Sequence, residues 1–123
     1  MQIAVIPADP ALDITFRDVD KDHRYLQALQ EIVSGDIEVV GLHRYAMNMY
    51  LNENGKIEGR PANHRATMLA HWAAAVRADD IIVGDVVLTG PVDAAGEDTP
   101  IVANHKWWLL QLNDEAAPRE GHS

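Results

Sequence analysis

The stretch Asn52–Trp72, NENGKIEGRPANHRATMLAHW, decides how this chain is read, because it holds two boundary signals in close succession. Asn54-Gly55 suits a type I′ turn, which needs positive φ at both central residues, a conformation that Asn and Gly tolerate. It predicts a hairpin joining Met47–Glu53 to a short strand that starts at Lys56. Asn63 follows a Gly-Arg-Pro sequence and has the side chain of an N-cap. It predicts a helix to about Arg77 with Leu69, Trp72, Ala73 and Val76 on one face.

Upstream, Gln2–Pro7 is a β-branched run closed by proline, and Leu12–Val19 alternates Leu12, Ile14 and Phe16 with Asp13, Thr15 and Arg17; these predict the two strands of a hairpin. Tyr25, Leu26, Leu29, Ile32 and Val33 form one helical stripe, with Asp20 as the expected cap and Gly35 as the expected stop. Strands are expected at Ile37–His43 and at Ala46–Glu53. In the second, Met47, Met49 and Leu51 face the core, since methionine at strand spacing fills cores.

Downstream, Asp79–Pro91 reads as a strand in which Gly84 marks a bulge or a close backbone approach. Asp93–Asp98 reads as a turn, and Ile101–Asn113 as a short amphipathic helix capped by Asn104, although its alternation also fits a strand. Strands and helices are interspersed without repeated βαβ units. The expected fold is α+β: a mostly antiparallel sheet built from hairpins, with two or three helices packed on one face. Residues 1–113 form a single domain and 114–123 a polar tail.

The 123 residues, 47% hydrophobic and 24% charged, fit one folded domain of average composition. Without cysteine there is no disulfide, thiolate nucleophile or cysteine zinc site, and the N-terminal residues lack the basic and apolar segments of a leader. A cytoplasmic protein is expected. The net charge of −9 opposes attraction to nucleic-acid phosphates, so no direct nucleic-acid binding is expected. The charge is uneven: residues 1–42 carry −5, residues 78–123 carry −7 and residues 43–77 carry +3.

The basic middle segment supplies the first candidate site. A helix N-terminus favours anions, so Arg60, Asn63, His64, Arg65 and Thr67, with Asn52, Glu53 and Lys56 at the preceding turn, form a candidate site for a small anion or nucleotide. The same residues have a plainer reading, in which Asn63 caps, Pro61 shapes the loop and the arginines pair with acids. His64 and His71 share a helical face but lie about 10 Å apart along the axis, too far for one metal, and no metal or other cofactor is expected. A second candidate is the acid-rich arc from Asp79 to Asp98. Asp79, Asp80 and Asp85, together with Trp107 and Trp108, are candidate partner-binding residues. The alternative there is a solvated rim and a pair of core tryptophans.

The pattern NENGK, then P-A-N-H-R-A-T, then DDIIVGD resembles the small phage and bacterial proteins grouped as domain of unknown function 3846. The resemblance rests on Asn52, Glu53, Gly55, Lys56, Pro61, Asn63, Ala66, Thr67, Asp80, Ile82, Gly84 and Asp85, with Gly35, Ile37 and Glu38 upstream. It implies no mechanism. It does imply a small cytoplasmic accessory protein carried by a phage or another mobile element.

Three functions follow as expectations. The first is non-enzymatic binding to a host protein through the acidic face and the Trp-Trp segment. The second is capture of a small anion or nucleotide by residues 56–67. The third is an enzyme with His64 as general base and Glu53 as its partner. A homodimer is compatible with all three.

Overall fold

The structure is a computed structural model that describes residues 1–116, with the side chains of residues 1–113. Five strands form one sheet: β1 (Gln2–Ile6), β2 (Thr15–Asp18), β3 (Ile37–Leu42), β4 (Met47–Asn52) and β5 (Val86–Thr89), in spatial order β2-β1-β5-β4-β3. Every neighbouring pair is antiparallel. Three α-helices complete the α+β fold: α1 (Tyr25–Val33), α2 (His64–Trp72) and α3 (Ala103–Ala116). The polar segment expected from residue 114 thus begins inside α3, and residues 117–123 lie outside the described part.

The helices occupy both faces of the sheet, a correction to the one-sided packing expected. The central strands explain it. In β1, Ile3 and Val5 point to one side and Ala4 and Ile6 to the other; in β5, Val87 opposes Val86 and Leu88. All are buried, so each face needs a cover. Leu29 and Val33 of α1 close the first face, and Leu69 of α2 with Leu109 and Leu112 of α3 close the second, where Met47, Met49 and Leu51 also lie.

Local signals were partly met. Asn63 caps α2, accepting from the Ala66 N–H at 3.0 Å. Helix α2 stops at Trp72 rather than Arg77, with Ala74 at φ 52° just beyond. No side chain caps α1, neither Asp20 nor any other; Asp22 accepts from the Arg24 N–H at 2.8 Å in the turn before it, and Ser34 takes the left-handed C-terminal position. Gly35 is glycine for another reason, since a Cβ there would stand 2.7 Å from the Asn52 amide. Asn104 lies within the first turn of α3 rather than before it.

Asn54-Gly55 does not form the hairpin turn, and no strand starts at Lys56. Successive turns replace it, with Gly55 N–H to Asn52 O, Glu58 N–H to Asn54 O and Arg60 N–H to Gly55 O; positive φ falls at Gly59. The partner place beside β4 is already taken by β5 and β3. Gly55 is needed where a Cβ would come 2.9 Å from Val83. The strand expected across Asp79–Pro91 is also shorter: Val83 makes only an isolated bridge to Ala62, the chain bends at Gly84 (φ 77°), and β5 begins at Val86.

Candidate functional site

The eight residues of the anion candidate are not brought together. Asn63 is fully buried, and its amide donates to Ile6 O and Gly84 O, both at 2.9 Å, while its carbonyl caps α2. Arg65 is 2% exposed and donates to Pro7 O, Asp9 O and Leu12 O and to Asn113 Oδ1, so its guanidinium ties the β1–β2 connection to α2 and α3. Burial pushes this guanidinium below its ordinary value, against the opposing charges of Asp13 and Asp9. Thr67 Oγ1 donates to Asn63 O and accepts from the Ile82 N–H. Asn52 holds the end of α1 through Val33 O and Ser34 O. Arg60 lies against Glu58 at 2.9 Å and Ser34 O, and His64 is exposed on α2.

The acidic arc is divided as well. Asp79 pairs with Arg77 at the surface, and Asp85 accepts from the Ala8 N–H at 2.8 Å. Asp98 receives the hydroxyls of Tyr25 and Tyr50, each at 2.7 Å. Burial first, then the bond to Asp98 and its charge, raises both phenols above their ordinary value. Trp108 packs on Tyr45 with ring centroids 4.6 Å apart and on Trp72 at 6.1 Å, while Trp107 is 69% exposed. The two tryptophans thus do different things.

What the fold does assemble is a groove beside β3, on the α2 side of the sheet. Val40, Leu51, Ile57, Val76, Ile81, Ile82 and Val83 give it apolar walls, and Glu38, Asn52, Glu53, Lys56 and Asp80 give it a polar rim. Its volume is about 120 Å³, below the roughly 300–1,000 Å³ of sites that enclose a small molecule. Lys56 donates to Asp80 across it, joining the turn after β4 to the segment after α2. Asp80 is fixed further by the Ile81 N–H on its carboxylate and by His71 Nε2–H on its carbonyl. The bond from Lys56, offset in part by burial, holds the Asp80 carboxyl below its usual range. Glu53 stands on this rim and His64 does not, so the acid–base pair of the third expectation is divided between two places.

The family model described as Domain of unknown function (DUF3846) matches residues 1–107. The chain belongs to this family. No curated protein and no solved structure matches it. Of the positions that carry the resemblance to the domain of unknown function, Glu38, Asn52, Glu53, Lys56, Asp80 and Ile82 all border the groove. Among the described residues no three His, Asp or Glu side chains are grouped to hold a metal ion, and no helix is long and apolar enough to cross a membrane.

Sequence reading found Asn52, Glu53, Lys56 and Asp80 but assigned them to two different sites. It missed the apolar half, Ile57 and Ile81–Val83, because no periodicity marks a wall built from two irregular segments. A second hollow, lined by His43, Ala46, Asn48, Pro91 and Val92, was missed for the same reason.

Proposed function

We propose that this protein acts by non-enzymatic binding to another protein, and that the groove beside β3 is its contact point. The observation that supports the reading is an apolar trough, too small for a nucleotide, open to solvent and edged by three carboxylates against one ammonium. Ile57 and Ile81 stand exposed at its border, as anchors for a partner's side chain. In a cytoplasmic accessory protein of phage or mobile-element type, that partner is a host protein.

Affinity capture from a bacterial lysate with the full chain, followed by binding of the purified partner, tests this. The partner recovered by the unaltered protein should be lost with Ile57→Asp combined with Ile81→Asp and kept with Trp107→Ala. A partner lost with Trp107→Ala and kept by the groove variant would move the interface to α3 and overturn the assignment.

A further inference from the structure

The two edges of the sheet are finished differently. At the β2 edge, the Met1 ammonium donates to Val19 O and the Val19 N–H to Met1 O. With Gln2 paired to Asp18, this phase turns the backbone groups of Ile14, Phe16 and Asp18 outward. Asn113 of α3 then accepts from the Ile14 N–H at 2.9 Å, and Arg17 and Asp18 add charges along the strand. Such devices discourage pairing with another chain.

The β3 edge has fewer of them. Its partner among the described residues is β4 alone. The bond from the Glu53 N–H to Asp36 O sets the phase, so Glu38, Val40 and Leu42 turn their amides to β4, whereas Ile37, Val39 and Gly41 present theirs outward. Val39 is itself exposed, and Glu38 is the single charged residue of the strand. Glu38 and Val40 also form one wall of the groove, so the open edge and the groove are continuous.

We propose that this edge and groove take an extended, basic segment of a partner protein, which adds to the sheet as a sixth strand beside β3. The inference rests on the protein-binding reading above and gives that partner its chemistry. Backbone bonds to Ile37, Val39 and Gly41 hold the segment, one of its aliphatic side chains enters the groove, and its lysines or arginines meet Glu38, Glu53 and Asp80. The rim's charge selects the sign of the occupant. A second copy of this chain, itself at −9, brings like charge to the same edge.

The probe is a labelled peptide of alternating lysine and leucine, about six residues long, the usual length of a strand, with a glutamate-leucine peptide as control. The lysine peptide should bind the full chain, more weakly with added salt, and the control should not. In amide exchange, Ile37, Val39 and Gly41 should slow by about tenfold or more on binding, while Glu38 and Val40, already paired with β4, change little. Val39→Pro removes an outward N–H that the sheet does not use and should weaken binding by about tenfold or more.

Peptide binding that leaves those three amides unprotected and survives Val39→Pro overturns strand addition, while the groove remains the contact. Absence of lysine-peptide binding overturns the inference, and the lysate experiment judges the protein-binding reading separately. A dimer in sedimentation that Val39→Pro dissociates makes a second copy the occupant and also overturns it.

Discussion

Asn63 and Arg65 sit at one end of the polar stretch that opens α2, and Glu53 and Lys56 at the other; chemically the two ends look alike, and the structure uses them in opposite ways. The first end is buried and its donors are consumed by backbone carbonyls of β1, the β1–β2 connection and the bend at Gly84. The second stays at the surface and rims an apolar trough. Burial without water makes every unmet hydrogen bond expensive, so the inner end is where stability is held. The outer end stays in water, where Lys56 is paired with Asp80 across the trough.

Arg65→Ala tests that division most severely. It strips the guanidinium from the carbonyls of Pro7, Asp9 and Leu12 and from Asn113 at once, and it should cost about 3 kcal/mol or more, since each buried acceptor left unmet costs about 1–3 kcal/mol. Denaturant unfolding reads this directly. Arg65→Lys should recover only part, because an ammonium on a single stem cannot serve four acceptors spread around a guanidinium. A loss below about 1 kcal/mol would mean that the buried bonds of Arg65 do not hold the fold. Asn63→Ala comes next, at about 2–3 kcal/mol, since it removes a helix cap and takes the buried side-chain donor from Ile6 O and Gly84 O.

These two residues also show how far the sequence could be read. The cap at Asn63 was legible because capping is local: a side chain meets an amide three residues ahead. The role of Arg65 was not, because its acceptors lie in another part of the chain, and a charge in a basic segment looks like a ligand for anions until its neighbours are known. Strands β2 and β4 followed from alternation, β1 and β5 from apolar runs, and the α+β class from the order of the elements. The packing of α1 on the face opposite α2 and α3 was also available, in the continuous apolar runs of β1 and β5, which demand two covers. Asn54-Gly55 misled because its glycine serves a close approach to Val83 rather than the positive φ of a hairpin turn. The groove depends on two irregular segments meeting, and no local rule forecasts that.

The tyrosine pair on Asp98 sharpens the comparison from outside the stretch, since here a half-buried carboxylate serves the fold. Tyr50→Phe should cost about 1 kcal/mol, the net worth of one such bond. The sign in pH follows from the raised phenols. A group that holds its proton more tightly when folded contributes stability that is complete below its unfolded value, about 10 for tyrosine, and is lost as pH rises beyond it. Stability should therefore fall above about pH 10, and Tyr50→Phe should flatten that fall. An alkaline limb identical in the variant would show that the phenol and Asp98 are not linked.

The smallest effect belongs to the groove rim. Lys56 and Asp80 are both substantially exposed, so Lys56→Gln should change stability by no more than about 1 kcal/mol, as surface ion pairs do. Asp80 moves in the opposite direction to the tyrosines. Its carboxyl is held below its usual range by Lys56, so its contribution is present above the unfolded value, near 3.9, and is lost as pH falls through the lower folded one. Carboxylate NMR titration should place Asp80 among the more acidic aspartates in the unaltered chain and return it towards the ordinary value in Lys56→Gln, with the folded spectrum otherwise kept. An Asp80 titration unmoved by that change would break the link across the groove. A protein unfolded by it would erase the contrast between the two ends, because the rim would then be holding the fold as the buried end does.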